Sequence, residues 1–384
     1  MPTSRTVLVL GGGVGGVVAA TRLRARLPRG DRVVLIDREQ HHLFQPSLLW
    51  LAVGQRQPEQ IQRPLERLRR RGIEVVTGEV ITFDPQSKRI RVNGTDLTGD
   101  AVIVSLGADL DPDAIPGLAA AGHNLYSLAG AAAIHRALED FRGGRVVVLT
   151  AAPAYKCPAA PYEAAMLLKD HLRRRKGGTA TVEIFAAEAG PMGTAGPEVS
   201  AAVRGMVEVR EIGYHPDHQI EAVDSATRKL HFKHGSPADY DLLIYVPPHR
   251  VPAVVREAGL VGTSGWVPVD AHSLRTEAPG VFAIGDVTGI PIPSGKVLPK
   301  AGVFAHRAAE VVAENLAAEW AGRIPERAFD GVGACFIEAG AGRAGYGSGD
   351  FYAAPAPRMQ LHTPSRFWHL GKVLFEKRWL RKWF

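Results

Sequence analysis

Two cysteines are the residues of this chain whose chemistry suits redox or nucleophilic work. Cys157 follows Lys156 and precedes Pro158, just ahead of a predicted helix, and Cys335 is followed directly by Phe336. A neighbouring ammonium group and a helix N-terminus both favour the thiolate, which is the reactive form of cysteine. The alternative is a small buried residue, because free cysteine is among the most buried residue types. The proline-rich, polar surroundings of Cys157 favour the reactive thiol.

The spacing of the other candidate residues favours redox chemistry without a metal. The cysteines are 178 residues apart, and the chain has no C-x-x-C pair and no histidine cluster, so we expect no metal site. Glu163 lies six residues after Cys157, near the start of the same predicted helix, and is the nearest candidate general base. It is equally well explained as an acid that stabilises the first turn of that helix.

A glycine turn close to the N-terminus predicts a dinucleotide site. Gly11, Gly13 and Gly16 fit G-x-G-x-x-G between an uncharged apolar strand, Thr6–Leu10, and a predicted helix. This pattern makes a tight turn, lets the backbone approach a pyrophosphate and directs helix N–H groups at the anion. Asp37 ends the next predicted strand, 21 residues after the last glycine, which suits a carboxylate on a ribose hydroxyl.

A second strand, loop and helix begin at Arg145, but their loop is different. It contains three prolines, and no glycine occurs between Gly144 and Gly177. A nicotinamide dinucleotide would lack its phosphate cradle there, so we expect no oxidation of NAD(P)H.

Later segments return to the first lobe. An apolar strand ends in a small-residue turn at Gly107, and another ends at Gly285 and Asp286. Ligands of open α/β sheets bind beyond such strand ends, and the loop that follows Asp286 favours a ligand over a helix cap. The next predicted helix opens with Lys300 and Gly302, so its free N–H groups could receive an electron-rich ring edge.

This order of elements predicts an α/β protein with two Rossmann-like dinucleotide-binding-type domains, the second inserted in the first. At 384 residues the chain is too long for one ordinary core. We expect the first domain at residues 1–109 and 266–321, the second at 110–265 and a C-terminal region at 322–384. A β-meander that includes Ile73–Val76 is predicted between units of the first sheet. The aromatic segment Arg38–Gly54 is predicted to be a loop, either a buried connector or a lid over the cofactor.

Composition limits the classes of partner. The net charge is +7, but the last nineteen residues hold six Lys/Arg against one Glu, or +5, so the basic excess is local and does not indicate a nucleic-acid-binding face. No apolar run is long enough to span a bilayer, and the first strand begins too early for a signal segment, which predicts a cytoplasmic location. A homo-oligomer is compatible with the sequence.

The basic tail predicts an amphipathic helix from Val373. Phe375, Trp379 and Trp383 recur on one side, and four cations lie opposite. Such a face either packs on the protein's own core or lies on an anionic membrane. Tryptophans on one side and cations on the other favour the membrane, as a peripheral segment on the cytoplasmic side of the cell membrane.

Together the motifs resemble the sulfide:quinone oxidoreductases among the two-dinucleotide-domain flavoprotein reductases. The resemblance covers most of the chain and rests on these segments: GGGVGG, HHLFQPSLLWLAVG, KCPAAPYEA, YVPPHR, FAIGDVTGIPIPSGKVLPKAGVFA, ACFIEAG and the tail. It implies that sulfide attacks a cysteine disulfide or sulfur bridge and that two electrons pass through FAD to quinone.

The resemblance also implies roles for particular residues. Cys157 and Cys335 would meet at the flavin, beside the candidate catalytic residues Glu163 and Lys300. FAD would be held by glycines and carboxylates at the strand ends: Gly11, Gly13, Gly16, Asp37, Gly107, Gly285, Asp286 and Gly302. Because Phe336 follows Cys335, it could stack on a quinone, with Phe367 or Trp368 as the opposing wall.

The chain departs from the family pattern in two places. A further cysteine common in the family is missing from Asn124–Leu128, and histidines found in some members are missing from Met192–Pro197. Two-cysteine relatives include the flavoprotein subunit of flavocytochrome c sulfide dehydrogenase, which passes electrons to a haem partner. The alternatives to a quinone reductase are therefore a dehydrogenase that reduces a cytochrome and a redox-idle, FAD-binding membrane adaptor.

Overall fold

Two parallel sheets and one antiparallel sheet make up the framework of the protein. The computed structural model describes residues 4–174 and 179–384; residues 1–3 and 175–178, including Gly177, lie outside this description. The first sheet is entirely parallel, with strands in the spatial order Val281–Ala283, Ala101–Val104, Thr6–Leu10, Arg32–Asp37 and Glu74–Thr77. The second is also parallel, in the order His123–Asn124, Leu242–Val246, Gly144–Thr150, Ala180–Ala186 and Gly213–His215.

The strands of the first sheet come from two parts of the chain, one before and one after the segment that forms the second sheet. This confirms the α/β class with one Rossmann-like unit inserted in another. The two connections between the units pair with each other as short antiparallel strands, Asp109–Leu110 and His249–Arg250. The exact domain boundaries remain predictions.

Strand Thr6–Leu10 is buried on both faces, which explains why it carries no charge. Val7 and Val9 face one core, which they share with the helices, whereas Leu8 and Leu10 face a second core under a small antiparallel sheet. That sheet consists of Val80–Asp84, Arg89–Val92 and Thr95–Thr98. The predicted meander is therefore present. The assignment of Ile73–Val76 to it is wrong, because the observed strand Glu74–Thr77 belongs to the parallel sheet.

The remaining strands form a C-terminal sheet, a hairpin and a small antiparallel sheet. The C-terminal sheet is antiparallel and consists of Val332–Glu338, Ala344–Asp350 and Arg358–Ser365. One hairpin pairs His41–Leu43 with Gln62–Pro64. In a three-stranded antiparallel sheet, Lys229–Phe232 lies between Ile220–Asp224 and Pro237–Asp239. The α-helices are Val14–Arg26, Leu48–Ala52, Leu118–Ala121, Leu128–Asp140, Ala160–Arg174, Pro197–Glu208, Ala253–Glu257, Gly302–Trp320 and Arg366–Lys382.

The C-terminal helix, Arg366–Lys382, packs in a way that corrects the prediction for the tail. Trp379 and Trp383 are buried, against the rings of His306 and other residues. The face that carries them packs on the protein's own core and not on a membrane. The exposed face carries Phe367, Leu370, Leu374 and Phe375 instead. Among the described residues, no helix has the length and apolar content to cross a bilayer.

Segment Arg38–Gly54 is an ordered connector under the C-terminal helix. It contains the strand His41–Leu43 and the buried helix Leu48–Ala52. Ser47 donates to Glu376 at 2.6 Å, and Arg56 forms an ion pair with the same carboxylate at 2.9 Å. Of the two interpretations of this segment, the structure supports the buried connector.

Candidate functional site

The glycine turn has the close backbone packing that its sequence predicts. Gly11 has φ +103°, and a Cβ there would overlap the carbonyl oxygen of Ser105. A Cβ on Gly16 would overlap the carbonyl oxygen of Gly11. The space beside Gly13 is open, since a Cβ there would meet nothing within 4 Å. Gly13 is the N-cap of helix Val14–Arg26 and supplies no side-chain hydrogen bond, so the helix N–H groups can receive an anion.

Asp37 closes this turn from the adjacent strand. Its carboxylate accepts hydrogen bonds from the N–H of Gly12 and, at 2.7 Å, from the N–H of Glu39. Burial raises the pKa of Asp37, and the two backbone hydrogen bonds oppose that rise. Gly107, at the end of the next strand, has φ +70° and also faces open space.

A second helix N-terminus and an unpartnered carboxylate complete the cradle. Gly302 begins the helix Gly302–Trp320 and lies beside Val14, because its Cβ would be 3.5 Å from that side chain. Atom Oδ1 of Asp286 is buried and has no hydrogen-bond partner in the described structure. Burial raises the pKa of Asp286, while Lys156 and Lys300 lower it. A buried acceptor of this kind fits a hydroxyl donor such as the ribityl chain of FAD, so the residues present fit the cofactor.

Lys300 is held against the backbone on this side of the cradle. Its Nζ donates to the carbonyl oxygens of Asp286 at 2.8 Å and Thr288 at 2.9 Å, and it lies 3.3 Å from the ring centroid of Trp266. Burial lowers the pKa of Lys300 to about 7, and the Asp286 carboxylate opposes that shift. The side chain is thus positioned to orient the Asp286 loop, and its charge is sensitive to pH near neutrality.

The fold brings Cys157 and Cys335 into one electrostatic environment, and both are free thiols. Cys157 precedes the cysteine helix, Ala160–Arg174, with φ +49°; its N–H donates to Lys300 O at 2.6 Å, and its carbonyl oxygen accepts from Tyr126 OH at 3.0 Å. Cys335 lies on strand Val332–Glu338.

The prediction that the surroundings of Cys157 favour its thiolate is wrong. Desolvation by the surrounding protein raises the pKa of both thiols to about 12, and the carboxylate of Glu163 adds to the rise. Cys335 lies at the exposed edge of the site, whereas Cys157 is only partly accessible. Lys372 is the cation that lowers the pKa of both thiols, whereas the main effect on neighbouring Lys156 is burial, which lowers its pKa and which the charge of Cys157 opposes.

Glu163 and Lys372 form a buried ion pair between the cysteine helix and the C-terminal helix. The two groups are 2.6 Å apart, and Glu163 also accepts from the N–H of Glu338 at 2.7 Å. Burial lowers the pKa of Lys372, but the carboxylates of Glu163 and Glu338 outweigh it and the net shift is upward. Glu338 in turn bonds His369 at 3.0 Å. Glu163 therefore acts on both thiols electrostatically, and its own carboxylate is already paired.

The second sheet carries a carboxylate at the place where a dinucleotide ribose would lie, but protein groups occupy it. Glu188 follows strand Ala180–Ala186 and accepts hydrogen bonds from the hydroxyls of Tyr155, Tyr162 and Thr150, the last two at 2.8 Å each. Tyr155 comes from the proline-rich loop that replaces a glycine turn. Its hydroxyl therefore occupies one of the acceptor positions of Glu188.

The three candidate quinone residues lie around the C-terminal sheet. Phe336 packs on Tyr346 with ring centroids 5.2 Å apart, and Tyr346 stacks on Trp368 at 4.5 Å. Tyr346 thus lies between Phe336 and Trp368, which do not face each other directly. Phe367 is 71% exposed and touches the edge of Trp368.

Several residues of the site are difficult to predict from the sequence. Lys372 and Glu338 have the sequence pattern of solvent-exposed charges, although both are buried in the ion-pair cluster. His249 follows strand Leu242–Val246 in the motif YVPPHR, and its Nε2 is buried without a described partner. Burial, Lys156 and Lys300 lower its pKa to about 3, so it is neutral. The sequence signal that could have identified His249 is its position after a strand end, which it shares with Gly107.

Comparisons with known proteins agree with this architecture. Residues 5–309 match the family described as pyridine nucleotide-disulphide oxidoreductase. The mitochondrial sulfide:quinone oxidoreductase of Mus musculus is 25% identical over 367 residues, which cover 91% of this chain and 79% of the mouse protein. The sulfide-quinone reductase of Aquifex aeolicus is 26% identical over 410 residues, which cover 99% of this chain and 91% of that protein.

The fold is likewise similar to a solved structure. The X-ray structure of the sulfide:quinone oxidoreductase from Aquifex aeolicus superimposes with a TM-score of 0.89 at 23% identity, over 99% of this chain and 91% of that one. These relatives confirm the resemblance predicted from the motifs. The chain belongs to the pyridine nucleotide-disulphide oxidoreductase family and is an FAD-dependent oxidoreductase.

Proposed function

We propose that this protein oxidises sulfide with the pair Cys157 and Cys335 and transfers two electrons through FAD to a membrane quinone. The observation that carries the proposal is the placement of the two cysteines: they are 178 residues apart in sequence, yet Cys335 acts on the charge of Cys157, and Glu163 and Lys372 act on both. The relatives named for sulfide and quinone over most of the chain support the same activity.

The sulfur chemistry starts from the oxidised cysteine pair. Hydrosulfide attacks one sulfur of a Cys157–Cys335 disulfide, the S–S bond breaks, and the electron pair leaves on the other sulfur as a thiolate. The product is a persulfide on one cysteine. The ammonium of Lys372 stabilises the leaving thiolate, because it lowers the pKa of both thiols.

Bound FAD supplies a two-electron acceptor for this cycle. When two electrons leave the persulfide and thiolate, the disulfide forms again, and sulfur is released at the level of elemental sulfur or polysulfide with one proton. The sulfide half-reaction is HS⁻ → S⁰ + H⁺ + 2e⁻, and quinone takes up the two electrons with two protons to become quinol. Asp286 and the two helix N-termini would hold the cofactor, and Lys300 orients the Asp286 loop.

The exposed face of the C-terminal helix supports a membrane acceptor. Phe367, Leu370 and Leu374 are 71%, 55% and 57% exposed, respectively, and a cationic surface continues from them. A shallow depression there is lined by Leu374, Lys377, Arg378, Arg381 and Lys382. Apolar residues next to cations suit an anionic bilayer, so we place the protein at the cytoplasmic membrane surface with Phe336, Phe367 and Trp368 toward the quinone.

The test is an anaerobic titration of the FAD-loaded protein with sulfide, followed by a water-soluble quinone. We expect sulfide to bleach the flavin absorbance and the quinone to restore it. Bleaching that a cytochrome reverses and a quinone does not would indicate the dehydrogenase alternative. A flavin spectrum that sulfide leaves unchanged would indicate the redox-idle adaptor and reject the proposal.

A further inference from the structure

A short chain of hydrogen bonds connects the C-terminal helix to the N-terminal glycine turn. The indole Nε1–H of Trp379 donates to Nε2 of His42 at 3.2 Å, and Nδ1 of His42 lies 2.9 Å from the carbonyl oxygen of Gly12. His42 is 1% exposed and Trp379 is 4% exposed. Water therefore cannot replace either contact.

The first contact determines which nitrogen of His42 carries the proton. An indole N–H can only donate, so Nε2 of His42 must be the acceptor. A neutral imidazole then has its single hydrogen on Nδ1, and that N–H donates to Gly12. Burial lowers the pKa of His42 to about 4, so the ring is neutral at physiological pH.

The second contact determines the direction of a backbone N–H that faces the cradle. The N–H of Gly12 donates to Asp37 and its carbonyl oxygen accepts from His42, so Gly12 is held at both ends. Because the peptide unit is planar and trans, a fixed Gly12 carbonyl points the N–H of Gly13 in the opposite direction. The space beside Gly13 is open, and Gly13 is the uncapped N-cap of the first helix.

We propose that Trp379 and His42 are positioning residues for the FAD pyrophosphate: Trp379 selects the His42 tautomer, and His42 fixes the peptide whose N–H faces the anion. The C-terminal helix thereby contributes to cofactor affinity without touching the cofactor. The inference concerns FAD alone and stands apart from the sulfide and quinone chemistry.

The direct test removes the hydrogen-bond donor of Trp379 and keeps an aromatic ring at that position. Trp379→Phe keeps an aromatic ring but has no N–H, so Nε2 of His42 becomes an unpaired buried acceptor and the other tautomer becomes available. We expect the dissociation constant of FAD for this variant to be about five- to tenfold higher than for the parent, which is the effect of one buried hydrogen bond. The readouts are flavin fluorescence during titration of apoprotein and the ³¹P resonances of bound FAD, which should move.

Trp383→Phe is the matched control. Trp383 is the buried C-cap residue of the same helix, touches the same His306 ring and packs on the ring of Trp379 with centroids 5.5 Å apart. Its cation contacts are Arg22 and Lys382, and no hydrogen bond from its indole to His42 is described. We expect this control to leave the dissociation constant and the ³¹P resonances unchanged. Equal effects of Trp379→Phe and Trp383→Phe would mean that both changes act through general stability, and they would overturn the proposal.

A conservative variant of His42 separates its role from folding. The amide N–H of Asn in His42→Asn can take the place of Nδ1–H, whereas nothing takes the place of Nε2. We expect His42→Asn to keep FAD affinity within about twofold of the parent and to cancel the effect of Trp379→Phe in the double variant, as expected for coupled residues. Additive losses in the double variant, or wild-type FAD affinity in His42→Ala, would show that the hydrogen-bond chain does not position the turn.

Discussion

At the residue scale, the two thiols depend on charges that arrive from other parts of the chain. Glu163 raises and Lys372 lowers the pKa of each thiol, and the two charged groups bind each other at 2.6 Å. Together with desolvation, which raises the pKa of both thiols, this ion pair sets how readily the thiolates form.

Cys157→Ser and Cys335→Ser are each expected to abolish the bleaching of the flavin by sulfide while FAD remains bound. Serine is close to cysteine in size, but it can neither form a disulfide nor act as a comparable nucleophile. The glycine turn proposed to hold the cofactor contains neither cysteine, and the contact of Cys157 with Lys300 is made by its backbone N–H, which serine keeps. Anaerobic absorbance spectra before and after sulfide check both statements, and full bleaching of either variant would contradict the disulfide relay.

Lys372→Met is expected to raise the pKa of both thiols and to destabilise the fold. Removal of one member of a buried ion pair costs about 3–5 kcal/mol, because Glu163 keeps an uncompensated charge. The rate of thiol alkylation as a function of pH should shift to higher pH, and urea unfolding should give the stability loss.

Two further variants serve as controls for Lys372→Met. Lys377→Met, on the exposed side of the same helix, should change neither quantity. The double variant Lys372→Met, Glu163→Gln should recover part of the stability, since no buried charge is then left alone. Equal stability of Lys372→Met and Lys377→Met would rule out an energetically important pair.

At the scale of elements, local patterns predicted the parallel strands well and the C-terminal helix poorly. Strand Thr6–Leu10 was found as predicted, because a strand buried on both faces has an apolar signature of its own. The C-terminal helix buries Lys372 and Glu376, which a local pattern counts as solvent-exposed. Their partners, Glu163 and Arg56, are more than 200 residues away in sequence. The tryptophan face was consequently assigned to a membrane.

The same limit applies to the site. The glycine turn and Asp37 could be predicted from spacing, because they lie within one strand–helix–strand unit. The ion-pair cluster around Lys372 joins the cysteine helix, the C-terminal sheet and the C-terminal helix, and no local spacing encodes it. Because the C-terminal helix carries buried Trp379 and Trp383, membrane binding is better tested by substitutions on its exposed face than by removing the helix.

The double variant Leu370→Gln, Leu374→Gln is expected to weaken binding to anionic vesicles while sulfide still bleaches the flavin at the original rate. Both leucines lie on the exposed face, and the transfer of a leucine side chain out of water contributes roughly 1.5–3 kcal/mol when complete. We expect a loss of about tenfold or more in partitioning, measured by vesicle co-sedimentation, together with slower reduction of a lipid quinone.

Val209→Gln is the control for that variant, because Val209 is 76% exposed in the second unit and away from the C-terminal helix. It should bind vesicles like the parent. Unchanged vesicle binding of the double leucine variant would show that this face is not the membrane surface.

At the scale of the whole molecule, the two parallel sheets have similar topologies but unequal ligand sites. In the first, glycines leave open space beside Gly13 and an unpartnered oxygen on Asp286. In the second, Glu188 follows its strand where Asp37 ends the equivalent strand of the first sheet, and it accepts hydrogen bonds from three protein hydroxyls. One unit is therefore built to hold a dinucleotide, and the other contributes Cys157 and Glu163.

This asymmetry predicts that NADH leaves the flavin oxidised under conditions in which sulfide bleaches it. A nicotinamide dinucleotide would have to bind its pyrophosphate without a glycine turn, and to reach Glu188 it would have to displace the Tyr155 hydroxyl, so one buried hydroxyl contact would be lost before any is gained. Such a bond contributes about 0.5–1.5 kcal/mol, and more where the acceptor is charged. The measurement is anaerobic stopped-flow absorbance of the FAD-loaded protein mixed with excess NADH, with sulfide as the positive control. Rapid bleaching by NADH would mean that the second sheet opens to a nucleotide, and it would favour an NADH dehydrogenase over a sulfide oxidase.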